Sequence, residues 1–194
     1  MGDLILARHG ETEWSRAGRH TGRTDLPLTP GGEAQAGSLA PLLTDRTFGL
    51  VLTSPLVRAR RTAELAGLTG AVPEPDLREW DYGGYEGITT AEIHRTRPDW
   101  DLWTDGVPPG REFPGESPEQ VGERADRVLA RLAGVLEEGD VMLVAHGHLL
   151  RVLTARRLGL PPAAGRLFRL ETGTLSRLSL EHGRPVVAEW NARP

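Results

Sequence analysis

Two histidines each close a short apolar run and each precede a glycine: His9 in Leu6-Ala7-Arg8-His9-Gly10-Glu11, and His146 in Val144-Ala145-His146-Gly147-His148. The runs before them, Leu4-Ile5-Leu6-Ala7 and Val141-Met142-Leu143-Val144-Ala145, are continuous and apolar in the manner of central parallel strands. Open α/β sheets bind ligands beyond the carboxyl ends of their strands. Two strand-end histidines 137 positions apart (146 minus 9) are therefore expected to share one crevice. A third run, Gly49 to Thr53, ends at Ser54 and Pro55, which read as an N-cap and first helical residue. Arg58 then falls in the first turn of that helix, where side chains lean back toward the same edge. Arg8, Arg58, the imidazoles and a helix N-terminus together make a cationic pocket suited to an oxyanion, and phosphate is the first ligand they suggest.

The elements that must position these groups follow from the punctuation of the chain. Residues 10–29 read as a polar loop too long to be a mere connector, of the kind that carries function. Pro30 opens a helix over about 31–44, a strand covers 49–53, and Pro55 begins a helix to about Leu65. Residues 72–77 read as a short edge strand, 78–88 as an irregular segment, and 89–96 as a short helix. The proline-rich stretch from Pro98 to Pro118 reads as part of a lid or rim at 89–117. A long amphipathic helix over 118–136 places Val121, Ala125, Val128, Leu132 and Leu136 on one face. After His146 come a helix to about Leu158 and strands at 167–171, 175–180 and 186–190. The pattern is α/β: a three-layer α/β/α sandwich with a mostly parallel central sheet, expected as one domain over 1–194.

Composition narrows the functions. With 23 basic and 27 acidic residues the formal charge is -4, which suits neither nucleic acid nor an anionic membrane. The start Met1-Gly2-Asp3 carries no basic, apolar leader, and no run has the length of a membrane span, so the cytoplasm is the expected compartment. The absence of cysteine excludes a disulfide framework, a thiolate zinc site and a cysteine nucleophile. Every basic residue is arginine, a feature given no functional weight.

The residues also carry a family resemblance. Arg8-His9-Gly10-Glu11, followed by Thr21-Gly22, Asp25, Leu28-Thr29 and Gly32, resembles the signature of the histidine phosphatase (phosphoglycerate mutase-like) superfamily. Further blocks resemble that family in order: Thr53-Ser54-Pro55-Leu56-Val57-Arg58-Ala59, Glu79 with Tyr82-Gly83 and Glu86-Gly87, and His146-Gly147 with Leu150-Arg151. Thr12-Glu13-Trp14-Ser15, Leu77-Arg78-Glu79-Trp80 and His146-Gly147-His148 are closer to sedoheptulose-1,7-bisphosphatase-like sugar phosphatases. Cofactor-dependent mutases of the family usually carry Asn where Ser15 and His148 stand, with a lysine-bearing insertion that has no counterpart here.

The resemblance implies a metal-independent phosphomonoesterase, without cofactor, acting on a small phosphorylated metabolite, with sugar phosphates or bisphosphates favoured. A phosphoglycerate mutase using the same chemistry is the alternative. His9 is the expected nucleophile, its other ring nitrogen donating to a backbone carbonyl at Gly10 and its phosphohistidine splitting the displacement in two. Arg8 and Arg58 would clamp phosphate oxygens, and His146 would be a second donor, cationic when phosphate is bound. A metal half-site at His146 and His148 is disfavoured, because the arginines would repel a divalent cation. Asp81, Glu86, Glu11 and Glu79 are all candidate acids by spacing; the resemblance selects Glu79, whose role asks for a carboxyl able to hold a proton. Ser15, Thr21, Gly22, Tyr82, His148 and Arg151 are candidate contacts to phosphate or sugar hydroxyls. Thr21-Gly22 would offer backbone N–H groups, and His20 would reach a distal second phosphate. A homodimer is compatible with the sequence. A binding protein without activity is disfavoured, since Arg8, His9, Arg58, Glu79 and His146 are all present.

Overall fold

Leu4 to Ala7 has no polar face, and it is buried on both sides. In the computed structural model, which describes residues 1–193, the strands are β1 (Leu4–Arg8), β2 (Phe48–Thr53), β3 (Val72–Pro73), β4 (Asp140–Ala145), β5 (Leu175–Glu181) and β6 (Arg184–Ala192). They form one sheet in the order β3-β2-β4-β1-β5-β6. The β3-β2-β4-β1 part is parallel, and β5 and β6 close one side as an antiparallel pair.

The two-residue periodicity of strands divides the core. Leu4, Leu6, Leu52, Val141, Leu143 and Ala145 face α7 (Pro118–Glu138) and α8 (Gly147–Arg157), meeting Val121, Val128, Leu132, Leu149 and Leu153. Ile5, Ala7, Met142 and Val144 face the opposite layer, built from α2 (Pro30–Ser38), α3 (Ala40–Leu43) and α4 (Val57–Leu65), where Leu39, Leu43, Ala59 and Ala63 pack. Buried leucines of this kind each contribute about 1.5–3 kcal/mol. The sheet and two helical layers are the sandwich expected from the sequence. The remaining helices, α1 (Glu13–Arg16), α5 (Thr90–His94) and α6 (Leu102–Asp105), are short and lie in the long connections.

Local departures from the sequence reading have local causes. The helix expected over 31–44 is broken at Leu39, because Pro41 has no N–H to continue the ladder. The helix expected from Pro55 begins at Val57: Leu56 is extended, the Ser54 hydroxyl accepts from its N–H, and the cap on Val57 comes from Asp25 Oδ1 at 2.8 Å. The strand expected over 72–77 pairs only at Val72 and Pro73, and Pro75–Leu77 turns as a 3-10 segment. No strand forms at 167–171. Its place beside β1 is taken by β5, and its backbone groups bond side chains instead, with Glu171 N donating to Asn191 Oδ1 and Arg169 O accepting from Trp190 Nε1. Within the proline-rich stretch Trp100, Leu102 and Trp103 are buried in the core, and Pro108 O accepts from Gly84 N.

Candidate active site

The parallel register pairs Arg8 with Ala145, so the residues that follow, His9 and His146, emerge side by side with ring centroids 5.1 Å apart. His9 Nδ1 donates to Gly10 O at 2.7 Å, which fixes the tautomer and leaves Nε2 for the cavity that His9 lines. Burial, then the charges of Arg58 and Arg8, hold the His9 pKa well below the ordinary imidazole range. The nitrogen is therefore unprotonated at neutral pH.

His146 is fully buried at the start of α8. Its Nδ1 accepts from Arg58 Nε at 3.2 Å, so Nε2 carries the proton and donates to Ser54 Oγ at 2.7 Å. Burial and then Arg58 push its pKa well down. The network holds His146 as a neutral imidazole here, whereas the expected cationic form concerns the phosphate-bound site. His148 turns away from it and accepts on Nδ1 from Tyr82 at 2.5 Å, and burial keeps the Tyr82 phenol protonated as that donor. The two imidazoles therefore do not converge on one point.

Arg58 is also fully buried, and its remaining donors grip a loop: Nη1 to Thr24 O, Nη2 to Thr21 O and Gly22 O, all at 3.0–3.1 Å. The N–H groups of Gly22 and Thr24 in turn donate to Glu86 at 2.9–3.0 Å. Gly22 N–H is thus committed to a carboxylate, which corrects its expected role as a phosphate donor. Glycine is required there because a Cβ would lie 2.4 Å from Trp80 O. Arg58 and Gly22 shape the 21–24 loop from behind the cavity.

Arg8 does line the cavity. Its Nη1 donates to Leu170 O at 2.5 Å, while Nε is buried with no hydrogen-bond partner. A buried guanidinium N–H without an acceptor is costly unless an anion meets it. Glu79 also lines the cavity, 5% exposed, with Oε1 accepting from Trp80 N and Leu149 N at 2.9 Å and Oε2 from His148 N at 3.0 Å. Two of these donors belong to the first turn of α8, where N–H groups have no helical partner. Oε2 thus accepts one hydrogen bond fewer than Oε1.

The cavity encloses about 250 Å³. Besides Arg8, His9 and Glu79, the expected residues Ser15, His20, Thr21, Tyr82, His148 and Arg151 line it, whereas Arg58, His146 and Gly22 do not. The His20 ring lies 4.7 Å from that of Tyr82, tilted by 40°, and burial lowers its pKa to about 4, so it offers a neutral hydrogen-bonding group rather than a second cation. Arg151 lies 4.6 Å over the Trp103 ring and donates from Nε to Gly165 O. Ser15 also caps α1, exchanging hydrogen bonds with the Thr12 backbone. Sequence reasoning missed Gly18, Arg19, Thr90, Gly147 and Leu170 as lining residues, and Ser54 as the partner of His146. In the sequence Ser54 ends an apolar run before Pro55, a pattern that signals a helix cap and hides its tertiary partner.

A family model of the histidine phosphatase superfamily (branch 1) matches residues 4–193. The chain belongs to the histidine phosphatase superfamily. Among its relatives, an acid phosphatase of Mycobacterium tuberculosis is 43% identical over 182 residues, covering 93% of this chain and 87% of the other. A sedoheptulose 1,7-bisphosphatase of Saccharomyces cerevisiae is 38% identical over 188 residues, covering 80% of this chain and 67% of the other. The solved structure of an open reading frame from M. tuberculosis superposes with a TM-score of 0.93 at 40% identity, covering 99% and 98% of the two chains. This histidine phosphatase is an enzyme of the phosphatase type. Among its described residues no helix is long and apolar enough to cross a membrane.

Proposed function

We propose that the chain is a metal-independent phosphomonoesterase that hydrolyses a small phosphorylated metabolite through a phosphohistidine on His9. The observation that carries this reading is the buried, neutral His9, with Nδ1 tied to Gly10 O and Nε2 turned to a cavity that also holds the unpartnered Nε of Arg8. Nε2 attacks phosphorus, the P–N bond forms as the ester P–O bond breaks, and the departing alkoxide takes the Glu79 proton. Water then attacks the phosphohistidine and gives its proton to Glu79. The P–N bond breaks and inorganic phosphate leaves. Arg8 spreads the charge on the transferred group, while Arg58 acts from behind through His146 and the 21–24 loop.

Sugar phosphates or bisphosphates are the favoured substrates. Supporting this, the outer wall of Tyr82, His20, His148, Thr21 and Thr90 is neutral and rich in hydrogen-bonding groups, as polyol recognition requires, with Arg151 beside it for a further anionic group. The 89–117 segment would form one rim of this wall through Thr90. The test is phosphate release, with chelator present, from sugar mono- and bisphosphates, phosphoglycerates and nucleotides, beside His9→Ala. A preference of about a hundredfold in kcat/KM for one sugar phosphate, roughly 2.7 kcal/mol, is expected. Phosphoglycerate isomerisation outrunning phosphate release would overturn the reading in favour of a mutase.

A further inference from the structure

Glu79 sits in an irregular segment that no strand pairs, yet general acid catalysis needs its carboxyl held to a fraction of an ångström. Arg124 and Glu116, neither of which lines the cavity, account for how the segment is held. Arg124 lies on the buried face of α7 and is 8% exposed. Its Nη1 donates to Asp76 O at 2.7 Å and Arg78 O at 3.0 Å, and its Nη2 approaches Glu79 O at 3.4 Å. The remaining donors form a fork with Glu116, Nε to Oε1 at 2.7 Å and Nη2 to Oε2 at 2.8 Å. All five N–H groups of the guanidinium are thereby used, three of them on the main chain that carries Glu79.

Glu116 completes the grip from the other side of the same segment. Its Oε2 accepts from Asp81 N at 2.8 Å, its carbonyl accepts from Trp80 Nε1 at 2.9 Å, and its N–H donates to Asp81 O at 3.0 Å. The acid is thus fixed at both ends. Its carboxylate is held by the α8 N–H groups, and its backbone is bolted to α7 through a buried ion pair.

We propose that Arg124 and Glu116 are positioning residues for the proton transfer made by Glu79, acting on catalysis through the main chain of residues 76–81. The inference rests on the reading of Glu79 as the acid. A lysine could not replace Arg124, since one ammonium cannot span the Glu116 fork and the three carbonyls together.

The experiment is a leaving-group series of phosphate monoesters, from 4-nitrophenyl phosphate, whose phenolate leaves without a proton, to glycerol phosphate, whose alkoxide needs one. It is read as kcat/KM for the wild type, Glu79→Gln, Arg124→Met, Arg124→Lys and Glu116→Gln, with thermal unfolding of each. Glu79→Gln should lose about 10²- to 10⁴-fold on glycerol phosphate and under about tenfold on the nitrophenyl ester. Arg124→Met should show the same selectivity at roughly 10- to 100-fold on the alkyl ester, with Arg124→Lys restoring only part of it. Glu116→Gln, whose amide nitrogen cannot accept the bonds that one carboxylate oxygen now takes, should show it too and serves if Arg124→Met does not fold. If the Arg124 and Glu116 variants lose activity equally across the series, or lose none while Glu79→Gln is selective, the pair is merely structural and the proposal is wrong. If Glu79→Gln itself shows no leaving-group dependence, the reading of the acid fails first and takes the proposal with it.

Discussion

Replacing His20 by asparagine should make the protein less sensitive to acid, and the size of the effect follows from one imidazole. His20 is packed between Tyr82 and Trp100, and burial alone lowers its pKa from 6.5 to about 4. Because the folded pKa lies below the unfolded one, the unfolded chain takes up this proton first as pH falls, and stability is lost from about pH 6.5 downward. At pH 5 the unfolded imidazole is almost fully protonated and the folded one is not, so the His20 proton alone costs the fold about 2 kcal/mol relative to pH 7.5. In urea this is a shift in midpoint of about 1 M for a domain of this size. The assay is urea unfolding of the wild type and His20→Asn at pH 7.5 and pH 5. The wild type should lose about 2 kcal/mol more than the variant between the two. Equal losses would refute the claim that His20 is held neutral by burial.

Two further substitutions probe the residues that support the site from behind the cavity. Ser54→Ala leaves the buried Nε2–H of His146 without its acceptor, which should cost about 1–3 kcal/mol in denaturant unfolding and lower kcat/KM through the misplaced imidazole; unchanged stability would mean that His146 finds another partner. Gly22→Ala forces a Cβ against Trp80 O, so unfolding should show a loss of about 1–3 kcal/mol and kcat/KM should fall as the 21–24 loop and the Glu79 segment move apart. A neutral outcome would show that this backbone contact yields freely.

The strands of the site were legible because burial on both faces writes an uninterrupted apolar run, and Leu4–Ala7 and Val141–Ala145 are such runs. The positions of His9, Arg8 and Glu79 on the cavity were expected from strand ends and family blocks. Helix starts were less legible. Pro55 looked like a first helical residue, but the cap on α4 is Asp25, thirty-two positions earlier, and nothing in the local sequence announces a cap that arrives from another loop. The same holds for Gly22, whose N–H is claimed by Glu86, and for His146, whose tautomer is decided by an Arg58 donor 88 positions away. Residues 167–171 have the alternation of a strand, yet a strand needs a free neighbour, and β5 had already taken the edge of β1. What the sequence hides is the identity of tertiary partners, and that identity sets both protonation and register.

The unpartnered Nε of Arg8, beside the His9 and His20 imidazoles whose burial resists protonation, leaves the cavity with polar groups that the fold itself does not satisfy. Its walls are a standing tension between durability and readiness to react. Lineages that drift toward sturdier folds would be expected to neutralise this corner first, and to lose their chemistry as they do.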